Sequence, residues 1–300
     1  MSKGKRIGLI CLGVLPVVVV ILWQLGVTSI AMTAYMLYRM TDPAFQELTP
    51  ASEAYMQAMQ QITEDFTSGK AMAVTTFAIY IGYLIIFGIW FYFMYCRKEK
   101  SDSWKQVLKL SGLPCIIGAG IMIQLAMDVI LTVAFAMFPA LYESYEAVMN
   151  GLTGDSVFMV ISVCLLAPIG EELIFRGLAM RTMQRAMPWQ LALVLQALLF
   201  GVYHMNPVQG CYATLFGLCM GYLAYRYGSI IPAIILHIAI NSSSYLISWL
   251  LSLPAFENEV LFVVVGVISA ILVFILLRIS VKGVVSPYQQ PNESNSTNCD

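Results

Sequence analysis

The chain is 300 residues long, 59% hydrophobic and only 11% charged, with a formal net charge of −1. An ordinary soluble domain carries about 25% charged residues, so this composition excludes a water-soluble globular fold. The balanced charge, with no basic stripe and no aromatic-basic interleaving, excludes a nucleic-acid partner.

Eight apolar runs follow in chain order: 7–30, 72–95, 113–138, 156–176, 190–206, 210–225, 229–250 and 259–279. Most approach the ~20 residues that carry a helix across a ~30 Å hydrocarbon core. In lipid every backbone polar group must be satisfied internally, which a helix does within one segment. The expected fold is all-α: a polytopic membrane protein, a bundle of about eight transmembrane helices. The fifth and sixth runs are short, which predicts spans that are tilted, buried in the bundle, or longer by a turn than the apolar run shows.

The first run follows Lys3, Lys5 and Arg6 and outlasts the ~7–15 apolar residues of a cleaved signal peptide, so a retained span is expected. Segment 38–70 holds Pro43, Pro50 and a helix-compatible stretch at 51–59, read as an outer-surface connector ahead of a lid. Loop 97–109 is basic and is expected to sit against anionic headgroups. The third span carries Asp128 one turn after Gln124, either lining a cavity or bonding a neighbouring helix. Pro168 predicts a kink that frees carbonyls in the fourth span. Gln196 in the fifth reads as a bond between helices. Residues 1–286 are expected to form a single transmembrane domain. The Pro, Gln, Asn and Ser of 287–300 predict a disordered cytoplasmic tail.

Charge bias orients these spans. Of the 16 Lys and Arg, only Arg39 and Lys70 fall outside when the N-terminus is placed in the cytoplasm. That asymmetry is the one the positive-inside rule demands, and it puts both termini on the cytoplasmic side. The seven cysteines show no paired spacing, so neither a disulfide framework nor a cysteine zinc site is indicated.

The chemistry sits inside three spans. Ionisable groups there cost about 2.5–3.5 kcal/mol each on insertion scales and mark functional sites by default. Glu172 and Arg176 are four apart, share a helix face and can pair. Glu171 is rotated by about 100° and is the freer carboxylate. Phe200 and His204 are again four apart, as are His237 and Asn241. Counted from the turn at Met187, Glu171 and His204 reach similar heights, and His237 falls in the cytoplasmic half of its span. Convergence of Glu171, His204 and His237 is therefore permitted. One carboxylate and two imidazoles suit zinc with an open position for water. Without metal, Glu171 can serve as general base while His204 orients the water. His237 and Asn241 then donate to the tetrahedral oxyanion.

The ordered set Glu171-Glu172-x-x-x-Arg176, Phe200-x-x-x-His204 and His237-x-x-x-Asn241 resembles the three motifs of the CPBP family. That family includes type II CAAX prenyl endopeptidases and bacteriocin-processing enzymes, and is also called ABI. The resemblance covers about a third of the chain. It implies an eight-helix intramembrane peptidase with Glu171, His204, His237 and Asn241 at its centre and Glu172 and Arg176 in support. The motifs leave open whether the water is activated by Zn2+ on Glu171, His204 and His237 or by Glu171 alone. A membrane-associated peptide or protein is the expected substrate, and a bacterial plasma membrane the expected location. Two other readings remain: non-catalytic peptide binding, as in bacteriocin self-immunity, and proton-coupled transport, against which the lack of an internal repeat argues.

Overall fold

The computed structural model describes residues 1–96, 112–149, 156–254 and 258–284. The basic loop at 97–109 and the polar tail at 287–300 lie outside them. Among the described residues there is no strand. The elements are α1 (Lys3–Arg39), a one-turn α2 (Pro43–Gln46), α3 (Glu53–Ser68) and α4 (Lys70–Phe91), which ends in a π-turn at Tyr92–Cys96. There follow α5 (Gly112–Met137), α6 (Pro139–Met149), α7 (Val157–Gln184), α8 (Trp189–Tyr203), α9 (Pro207–Tyr227), α10 (Ile231–Leu251) and α11 (Glu259–Ser280). Each of the eight apolar runs is a helix, and α2, α3 and α6 are additional.

Among the described residues, α1, α4, α5, α7 and α11 are long and apolar enough to cross a membrane. The protein is an integral membrane helical bundle. α8 has 15 residues, and at ~1.5 Å per residue it cannot cross a ~30 Å core. Its turn into α9 therefore lies within the thickness of the bundle, which is what places His204 at depth.

Side-chain caps fix the starts. Ser52 Oγ accepts from the Tyr55 amide at 3.2 Å, and Asn206 Oδ1 from the Gln209 amide at 3.0 Å, with Pro207 supplying the first helical residue of α9. Gly228 ends α9 with φ at +63°, a left-handed stop that glycine adopts without strain.

Without a hydrophobic force between helices in lipid, association rests on close packing and interhelical bonds. α5 meets α10 where a Cβ on Gly120 would lie 2.6 Å from Ala239 Cβ and 3.0 Å from the Leu236 carbonyl. Between α8 and α9, Gln196 Nε2 donates to the Gly217 carbonyl at 3.0 Å, the bond expected of it. Gln124 Nε2 donates to Asp128 Oδ1 within α5, 2.9 Å away. At the end where α1 finishes, α3 is tied down by Arg39 to Asp65 at 2.6 Å and by Tyr35 against Phe66, with Ile62 and Phe66 buried. The described cysteines Cys11, Cys115, Cys164, Cys211 and Cys219 are free.

Candidate active site

α7 carries the acidic residues, and it is not a uniform α-helix. π-turns at Ser162–Leu166 and Leu173–Met180 flank the α-helical stretch Ala167–Glu172. The first turn has a sequence cause. In π geometry the Val163 carbonyl would accept from the amide of residue 168, and Pro168 has none. Asn241 Nδ2 from α10 fills the gap, donating to the Val163 carbonyl at 2.9 Å. Proline thus frees a carbonyl as expected, and the motif asparagine takes it. The second amide hydrogen of Asn241 has no role in that bond.

Glu172 is fully buried and has two partners. Arg176 Nη1 donates to Glu172 Oε1 at 2.6 Å, the pair that their spacing predicts. His237 Nδ1 lies 2.9 Å from the same oxygen. A carboxylate accepts, so Nδ1 carries the hydrogen and Nε2 is the atom His237 presents elsewhere. That atom faces Glu171 Oε2 at 3.8 Å, too long for a hydrogen bond. Glu171 accepts no hydrogen bond among the described residues, and 4% of its surface stays accessible. The site thus has one carboxylate locked in an ion pair and one held open beside an imidazole.

His204 caps the C-terminal end of α8. Its Nδ1 is 2.8 Å from the Phe200 carbonyl, which can only accept, so Nε2 again keeps its lone pair. Phe200 gathers the set: its ring lies 4.8 Å from His204 and 5.8 Å from His237, both edge-on. The Arg176 guanidinium sits 4.6 Å over the same ring, a cation–π contact that helps offset burial of the charge. Met205, just beyond, takes φ of +52°, a conformation that strains a non-glycine residue and fixes the turn that carries His204.

The sequence reasoning missed a tyrosine cluster contributed by α4 and α8. Tyr83 packs against Gly170, where an added Cβ would lie 3.0 Å from Tyr83 Cβ. Its hydroxyl donates to Gln24 Oε1 at 2.9 Å and lies 2.9 Å from the Tyr203 hydroxyl, which donates to it. Tyr80 stands 5.1 Å from Tyr83, ring to ring. Tyr83 thus stands beside the residue that precedes Glu171, and Tyr80 and Tyr203 stand beside Tyr83. Nothing in their spacing sets these tyrosines apart from the other aromatic residues of an apolar span.

The expected zinc ligands are Glu171, His204 and His237. Among the described residues, no group of three His, Cys, Asp or Glu side chains is placed to hold a metal ion. Glu171 and His237 face each other, but the third ligand is not gathered with them, so this donor set does not fit a three-ligand zinc site.

No curated protein and no solved structure matches the chain. Residues 153–243 match the family described as Type II CAAX prenyl endopeptidase Rce1-like, a stretch that contains Glu171, Glu172, Arg176, Phe200, His204, His237 and Asn241. Within a helical bundle of membrane-spanning length, this stretch is thus similar to the CAAX protease family.

Proposed function

We propose that the chain is an intramembrane endopeptidase that hydrolyses a peptide bond of a membrane-associated peptide or protein, in the cytoplasmic half of a bacterial plasma membrane. The supporting observation is the contrast between two adjacent carboxylates. Glu172 is consumed by Arg176 and His237, whereas Glu171 is left without a hydrogen bond, 3.8 Å from His237 Nε2. A buried carboxylate with no structural duty is what a general base requires.

In this reading, Glu171 takes a proton from water whose other hydrogen is directed to the Nε2 lone pair of His204. The water oxygen bonds to the scissile carbonyl carbon, and the second amide hydrogen of Asn241 meets the developing oxyanion. His237, fixed by Glu172, holds the opposite side. The carbon–nitrogen bond then breaks, and the proton held by Glu171 goes to the leaving amine. No step runs through zinc, so treatment with a metal chelator is expected to leave the rate unchanged. A rate abolished by the chelator and restored by zinc would contradict this route.

A second reading has its own support. The Glu172–Arg176–His237 network forms without any reaction, as a structural ion-pair cluster in a peptide-binding or bacteriocin self-immunity protein would. The two separate on Glu171→Gln and His204→Ala, expressed at wild-type level in host membranes. Peptide termini that disappear in both variants establish proteolysis and identify the substrate. Unchanged termini, with the wild-type phenotype intact in both, favour the binding reading.

A further inference from the structure

Most of the hydrogen-bond donors around Glu171 are already committed. Peptide hydrolysis needs donors aimed at the oxyanion, and removing one typically costs about 100-fold or more in rate. Both imidazoles spend Nδ1–H on other acceptors, Glu172 and the Phe200 carbonyl, and a neutral ring then offers only a lone pair at Nε2. Asn241 has one amide hydrogen committed to Val163. Arg176 gives Nη1 to Glu172 under the Phe200 ring, and its buried Nε and Nη2 have no hydrogen-bond partner among the described residues. Nη2 lies toward α9, 3.2 Å from where a Cβ on Gly217 would sit, so the free donors of the motif side chains are few.

The tyrosine cluster supplies a further donor. The inward stripe of α4 runs Thr76, Ile79, Tyr83 and Phe87, all buried, and Tyr80 lies on it one turn from Thr76 and Tyr83. Tyr83 spends its hydrogen on Gln24, and Tyr203 spends its own on Tyr83. Tyr80 lies against the same core, and its hydroxyl takes no partner among the described residues. Of the three phenols near Glu171, it alone can still donate.

We propose that Tyr80 is a further catalytic residue, its phenol donating a hydrogen bond to the tetrahedral oxyanion opposite Asn241. This inference rests on the peptidase reading. Tyr80 keeps its proton throughout. It lowers the energy of the oxyanion without taking part in the transfer from water through Glu171 to the leaving amine. The edge-on contact with Tyr83 sets the ring's direction, so Tyr80→Phe removes the donor and keeps the packing.

The test uses the full-length protein in liposomes with a peptide extract of host membranes as probe. The most rapidly cleaved peptide is then resynthesised for kinetics. Tyr80→Phe is expected to lower kcat about 100-fold with KM and melting temperature unchanged. Tyr83→Phe strips a bond from Gln24 and Tyr203, and is expected to lower the melting temperature with a smaller effect on kcat. If Glu171→Gln abolishes cleavage while Tyr80→Phe works at the wild-type rate, the Tyr80 proposal alone is overturned. A fall in kcat, KM and melting temperature together for Tyr80→Phe would make it a packing residue and also overturn the proposal. If Glu171→Gln cleaves as well as wild type, or wild type cleaves nothing, the peptidase reading falls and takes the Tyr80 role with it.

Discussion

Arg176 is a buried charge at the centre, with a carboxylate on one side and a phenyl ring on the other. Removing one partner of a buried ion pair costs about 3–5 kcal/mol, because the other charge is stranded. Arg176→Met is therefore expected to lose that much stability in a detergent melt, and Arg176→Met with Glu172→Gln less than the two single losses added. Asn241→Ala uncovers the Val163 carbonyl and is expected to cost about 1–3 kcal/mol, besides its effect on catalysis. A wild-type melting curve for Asn241→Ala would show that the capping bond does not hold the π-turn. At this scale the sequence was half legible. The spacing of Glu172 and Arg176 was enough to predict their pair, and Pro168 announced a freed carbonyl. That Asn241 takes that carbonyl was hidden, since their 78-residue separation leaves no local pattern. Tyr80 and Tyr83 were invisible for the related reason that an apolar span makes every aromatic residue look like filler.

The depth of His204 is a property of elements: the shortness of α8 and the closeness of α9 behind it. A Cβ on Gly201 would drive into the Thr214 hydroxyl and lie 2.5 Å from the Gly210 carbonyl. Gly201→Ala should splay the two helices, cost about 1–3 kcal/mol and move the imidazole three residues on. Activity retained at full stability would mean that the α8–α9 contact does not position His204. The hydrophobic pattern revealed that the fifth and sixth runs were short. Their consequence, a turn inside the bundle, depends on packing between elements. α3 makes an electrostatic prediction. Gln61 Nε2 and Arg39 both donate to Asp65 and hold its carboxyl below the ordinary 3.8. A depressed carboxylate stabilises above its unfolded value, and that support fades as pH falls through the lower folded value. Undocking of α3 in acid should therefore be shallower in Asp65→Asn, measured by hydrogen exchange across Glu53–Ser68.

Across the whole molecule, the apolar runs were sufficient to predict the architecture, because lipid admits only helices and closed barrels, and runs of about 20 apolar residues make helices. They could not give α6, whose residues lack a long apolar run, while α3 extends the helix-compatible stretch at 51–59 to Ser68. We propose the orientation that the charge bias of the sequence implies, with both termini cytoplasmic. In intact cells Gln57→Cys is expected to react with an impermeant maleimide, and Lys3→Cys only after lysis. The reverse pattern would turn the bundle over and place the site in the other half of the bilayer. The central claim, that Glu171 activates water for peptide hydrolysis, is met most directly by one measurement. The purified full-length chain, reconstituted in liposomes, is incubated with host membrane peptides in ¹⁸O-labelled water, and the products are read by mass spectrometry. The account predicts new C-terminal carboxylates carrying a single ¹⁸O with the wild type and none with Glu171→Gln. Identical product spectra from the two proteins would contradict it.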